Sequence, residues 1–166
     1  MTIPDNPRED VAVPHAPVVP SPDSSPSIEA DPLTVIDQRT REQLVAAQHA
    51  AVAAAAEVAC LLQRGLRLKS EPLYDAAFTQ TLRTWWEQVT EQIGTHHLNA
   101  DHALRRVRSW ARYYLTGEPA ATAPGTLFDH ALAHASRAAA RQFLSDTGEM
   151  LAEHTTRLDT AKAPIS

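Results

Sequence analysis

Leu44-Val45-Ala46-Ala47-Gln48-His49-Ala50-Ala51-Val52-Ala53-Ala54-Ala55-Ala56-Glu57-Val58-Ala59 is the stretch that decides the fold class. Alanine loses no side-chain entropy on entering a helix, so the run has about the highest helical propensity a natural sequence offers. At about 100° per residue, Leu44, Ala47, Ala51, Ala55, Val58 and Leu62 fall on one stripe, with Glu57, Arg64 and Arg67 on the far side. A stripe whose middle is alanine lets a partner helix approach closely and carries no reactive group. It is the expected contact face of a helix over residues 37–68 whose work is packing and assembly.

The punctuation downstream predicts three more helices. Ser70 as N-cap with Pro72 just inside opens a helix over residues 71–93, closed by Gly94. Its apolar stripe is Tyr74, Phe78, Leu82, Trp85, Val89 and Ile93, which leaves Trp86 at the stripe's edge, free to seat in a partner groove. Asn99 caps a third helix with Ala100, Leu104, Val107, Ala111 and Leu115 on one face, ended by Gly117 and Pro119. Beyond a proline-bearing loop at 118–125, Thr126 caps a fourth helix whose stripe is Phe128, Leu132, Ala135, Ala139 and Phe143. The next residues due on that stripe are Asp146, Glu153 and Arg157, so Ser145-Asp146-Thr147-Gly148 reads as a break and residues 149–160 as a short terminal helix. With no alternating strand pattern and no solenoid repeat, the expected architecture is all-α: a bundle of four main helices plus a short terminal one, over residues 34–162.

Residues 1–33 stand apart. They hold Pro4, Pro7, Pro14, Pro17, Pro20, Pro22, Pro26 and Pro32 and no aromatic, too little apolar surface to offset ordering entropy, and so predict a disordered, partly polyproline II tail. Asp5, Glu9, Asp10, Asp23, Glu29 and Asp31 face Arg8 alone there, a net charge of -5 that equals the formal charge of the whole chain. A neutral body behind an acidic tail lacks the basic surface that phosphate binding requires, which disfavours nucleic acid. The amino terminus does not read as a secretory signal, and Glu57, Gln63 and Arg64 interrupt the only long apolar region, which argues against a transmembrane span. Cys60 is the sole cysteine, so no internal disulfide can form and the cytoplasm is the expected compartment.

Candidate chemistry is confined to histidines. His49, His97 with Asp101, His130 with His134, and His154 with Asp159 follow one another in the ligand order of hemerythrin-like di-iron bundles, which the chain resembles in this respect. The resemblance implies a metal-binding bundle in which His49, His130, His134, His154 and Asp159 hold iron or another transition metal. By the helical wheel, however, His130 and His134 share a stripe with Arg137 and Arg141, opposite Ala135 and Ala139, and solvated or interface histidines with no cofactor are the favoured reading. Arg105, Arg108 and Arg112 lie on one side of the third helix; a phosphate site or charge pairing with the acidic second helix would each account for them, and pairing is the simpler account.

Arg41-Glu42-Gln43-Leu44-Val45-Ala46-Ala47-Gln48, and later Leu127-Phe128-Asp129-His130-Ala131-Leu132-Ala133-His134 leading into Asp146-Thr147-Gly148-Glu149-Met150-Leu151, resemble the phasins, small helical proteins that coat polyhydroxyalkanoate granules. The resemblance covers residues 37–155 in texture. It implies amphipathic, coiled-coil-forming helices that assemble as a homo-oligomer or with a helical partner and adsorb to an apolar granule surface, with no catalytic residue. Three functions are therefore carried forward: a non-enzymatic assembly or surface-coat protein, a metal-binding bundle, and an adaptor or secretion-associated protein recognised through its tail.

Overall fold

The computed structural model describes residues 31–117 and 127–162, and among them the chain is all α-helix, in four helices and no strand. The expected tail through residue 30, the loop at 118–125 and the Thr126 cap lie outside the described residues, as does the side chain of Phe128.

Helix α1 (Pro32–Gln63) starts earlier than its apolar stripe suggests, because Asp31 accepts from the Leu33 amide as N-cap and Pro32 stands at the first helical position. It stops at Gly65, whose φ of 63° lets Leu66 N–H reach the Leu61 carbonyl and Gly65 N–H the Leu62 carbonyl. Helix α2 (Ser70–His96) runs straight through Gly94, the expected terminator, and turns at His97 in the left-handed region (φ 52°). Helix α3 (Ala100–Thr116) is capped by Asn99, which accepts from the His102 amide, and ends at Gly117, both as the sequence predicts.

Helix α4 (Leu127–Lys162) is continuous, so the expected break at 145–148 and the separate terminal helix are corrected. Its buried seam steps from Phe143 to Thr147, Met150 and His154, by four, three and four residues without interruption, with Leu151 beside it. The polar members conceal that seam in the sequence: Thr147 satisfies its hydroxyl on the Phe143 carbonyl and so can be buried at no hydrogen-bond cost.

The four helices run up, down, up, down. Val35 and Ile36 lie beside His154 and Arg157 while Glu42 and Gln43 lie beside Asp146 and Glu149, so α1 is antiparallel to α4, and Arg108 reaches Leu144 and Thr147 while Arg137 donates to the Leu115 carbonyl, so α3 is antiparallel to α4. Thr81 and Ser136 meet at 3.3 Å, and both Trp85 and Trp86 contact Phe143, so α2 and α4 are parallel at the centre. The core is Ile36, Ala47, Trp86, Val89, Leu104, Val107, Ala111 and Phe143 with their neighbours. Being central, α2 buries two sides, and the consequence is a correction: Trp86, expected at an edge, is 1% exposed, while Trp85 is only partly buried.

Candidate interaction surface

The contact face expected on α1 divides in the structure into two adjacent seams. Leu44, Ala47, Ala51, Ala54, Val58 and Leu61, spaced by three and four, are buried or half-buried within the bundle. One residue further on, about 100° around the helix, run Val45, Gln48, Val52, Ala55, Ala59 and Leu62, and all of these but Gln48 are exposed. Val45 is 47%, Val52 63% and Leu62 58% exposed, apolar surface open to solvent rather than a rim of the core.

Of the residues expected to make contacts, then, Leu44, Ala47, Ala51 and Val58 serve the bundle itself, and Ala55 and Leu62 lie on the open seam. Trp86 belongs to neither, because it is enclosed against Phe143. The open seam's Val45, Val52 and Ala59 are absent from the sequence-derived stripe: a 3.6-residue wheel drawn through so much alanine passes between the two seams and takes members from both.

By length and composition alone α1 is long and apolar enough to cross a membrane over Leu33–Gln63, and little of that stretch is buried. The apolar region is thus longer than Glu57, Gln63 and Arg64 suggest in the sequence. Glu57 interrupts too little among its alanine and valine neighbours to lower the mean hydropathy.

The histidines are dispersed. His49 and His130 are exposed, as is Asp159. His134 is exposed and its ring lies 5.8 Å from that of Tyr74. His154 is buried beside Val35, Ile36 and Met150, its Nδ1 without a partner among the described residues. No group of three or more His, Cys, Asp or Glu among the described residues is gathered closely enough to hold a metal ion, so the expected ligand set is not brought together.

The arginines of α3 also differ from expectation, since no ion pair among the described residues joins α2 to α3. Arg105 pairs with Asp101 on its own helix, and that hydrogen bond and charge raise its pKa. Arg108 crosses to α4, donating to the Leu144 carbonyl and the Thr147 hydroxyl; burial lowers its pKa, with Arg112 and Arg105 adding to the effect. Comparison with known protein families, with curated proteins and with solved structures finds no match to this chain.

Proposed function

We propose that this protein is a non-enzymatic, cytoplasmic helical assembly or surface-coat protein that works through the open seam of α1, in the manner of the phasins. The observation that carries the reading is that seam: Val45, Val52, Ala55, Ala59 and Leu62 exposed in register along one edge of a rigid helix whose neighbouring edge is already packed. Alanine in the middle of the seam lets a second helix approach closely, and valine and leucine at its ends supply the apolar area that drives association. The same edge can lie on an apolar surface, with Glu57 directed away from it. The occupant in solution is a second copy of α1, and a hydrophobic granule is the surface it would coat.

Sedimentation velocity of the protein and of Val52→Glu/Leu62→Glu tests this directly. The expected result is a species heavier than the 18.1 kDa chain for the native protein and a monomer of unchanged helicity for the variant, with loss of adsorption to polyhydroxybutyrate particles. A native protein that sediments as a monomer and leaves those particles bare overturns the proposal.

A further inference from the structure

Away from α1, a cleft of about 320 Å³ opens between α2, α3 and α4, with Trp85, Trp110 and Tyr114 among its walls and Thr81, Gln88 and Ser136 supplying polar groups. Trp85 and Tyr114 meet edge to face with ring centroids 6.0 Å apart, Trp110 and Tyr114 remain partly exposed, and Arg106 lies over the Trp110 ring at 5.5 Å. The Trp85 indole N–H is covered and finds no acceptor among the described residues. Aromatic-lined grooves suit proline-rich chain, whose rings pack on the flat faces.

The chain carries such a segment. Pro14, Pro17 and Pro20 recur every three residues, the period of polyproline II, a spacing that in that conformation would put all three rings on one edge and Val13, Ala16 and Val19 on the next. We propose that residues 13–22 of the same chain dock in the Trp85–Trp110–Tyr114 cleft, so that the amino-terminal segment folds back on the bundle as an intramolecular ligand. Charge favours this occupant over an unrelated one. Asp5, Glu9, Asp10, Asp23 and Glu29 flank the proline run against Arg8 alone, and α3 carries Arg106 at the Trp110 edge of the cleft, in no ion pair among the described residues.

The reach is sufficient. Ile36 sits beside His154, and Ser136 lies 18 residues before His154 on α4. With the five residues from Ile36 back to Asp31, the cleft is about 34 Å along the bundle from the start of α1 at the helical rise. Pro17 precedes Asp31 by 14 residues, about 43 Å in polyproline II geometry, which leaves slack for the sideways step. The inference is independent of the α1 seam, which lies on another face.

The test uses the full chain. Cys60→Ser with Ala16→Cys puts a nitroxide label in the middle of the proline run, and the indole N–H signals of Trp85 and Trp110 are followed by NMR, with the backbone amides of His154 and Arg157, about 27 Å or more from Ser136 along α4, as the reference. Docking predicts loss of the Trp85 and Trp110 signals while the reference amides survive. Recovery of both signals is expected in Pro14→Gly/Pro17→Gly/Pro20→Gly and, with helicity retained, of the Trp85 signal in Trp110→Ala. Mixing isotope-labelled chain with separately spin-labelled chain distinguishes the alternative: broadening that persists in the mixture assigns the contact to a second copy and overturns the intramolecular proposal. Equal broadening of all signals, or none, overturns it as well.

Discussion

Trp86 of α2 and Phe143 of α4 meet edge to face with ring centroids 5.0 Å apart and planes inclined at 73°, and both side chains are fully enclosed. The pair is the largest volume in the core and joins the two central helices at the level where α1 and α3 flank them. Edge-to-face geometry places the positive ring edge against the negative face, adding about 0.5–1.5 kcal/mol to what burial supplies.

Trp86→Ala should therefore destabilise the bundle by about 3–5 kcal/mol, the cost typical of deleting an enclosed aromatic. Trp86→Phe should cost clearly less because a ring still faces Phe143. Urea unfolding followed by circular dichroism measures both; a Trp86→Ala protein as stable as the native one would mean that this side chain lies at the surface.

The two seams of α1 separate stability from assembly. Ala51 is 4% exposed, and Ala51→Leu should overpack the α1 contact at a cost of about 1–3 kcal/mol. Ala55 faces solvent, so Ala55→Leu should leave the monomer's stability within about 0.5 kcal/mol and alter only the mass in sedimentation. Equal effects of the two substitutions on the urea midpoint would contradict the division of the face.

Gly94 lies inside α2, and a Cβ built there meets nothing within 4 Å. Gly94→Ala should raise stability by about 0.5–1 kcal/mol, since alanine restricts the unfolded chain and keeps the helical backbone. A glycine that terminated the helix in the left-handed region would respond with the opposite sign, so thermal unfolding of this one variant separates the two conformations.

Gly148 is also helical, but a Cβ there would come within 3.3 Å of Arg108 Nη1. Gly148→Ala should accordingly gain less than Gly94→Ala, because the guanidinium that donates to the Leu144 carbonyl and Thr147 hydroxyl must shift. Arg108→Ala should cost about 1–2 kcal/mol through those hydrogen bonds, and in that background Gly148→Ala should recover the full helical gain. A double-mutant cycle with no coupling between positions 108 and 148 would show that the two do not touch.

Helix content, the order of the four main helices and both ends of α3 were legible in the chain because they depend on local chemistry. Alanine and leucine at helical spacing, Asn99 as a cap and Gly117 as a stop act through backbone entropy and near-neighbour hydrogen bonds, and the inward face of α3, Ala100, Leu104, Val107 and Ala111, followed from its periodicity alone. Where a second helix takes part, the wheel loses authority. Thr147 read as part of a break and His154 as a candidate metal ligand, yet α4 buries both, one through a hydroxyl bonded to its own helix and the other between α1 and α4.

The same limit governs the surfaces on which function is proposed. An alanine-rich helix presents several nearly equivalent faces, so local hydrophobicity could not say which edge α2 and α4 would cover; the register of packing placed Ala47 and Ala51 inside and left Val45, Val52 and Leu62 in solvent. Trp85, Trp86 and Trp110 are likewise interchangeable as residue types. What distinguishes an enclosed Trp86 from a cleft-lining Trp110 is how many helices converge on each, a property of the assembled bundle rather than of any segment. The amino-acid order determined that four helices form, and tertiary packing alone decided which of their apolar faces remain open, because burial is shared between elements and no single element carries it.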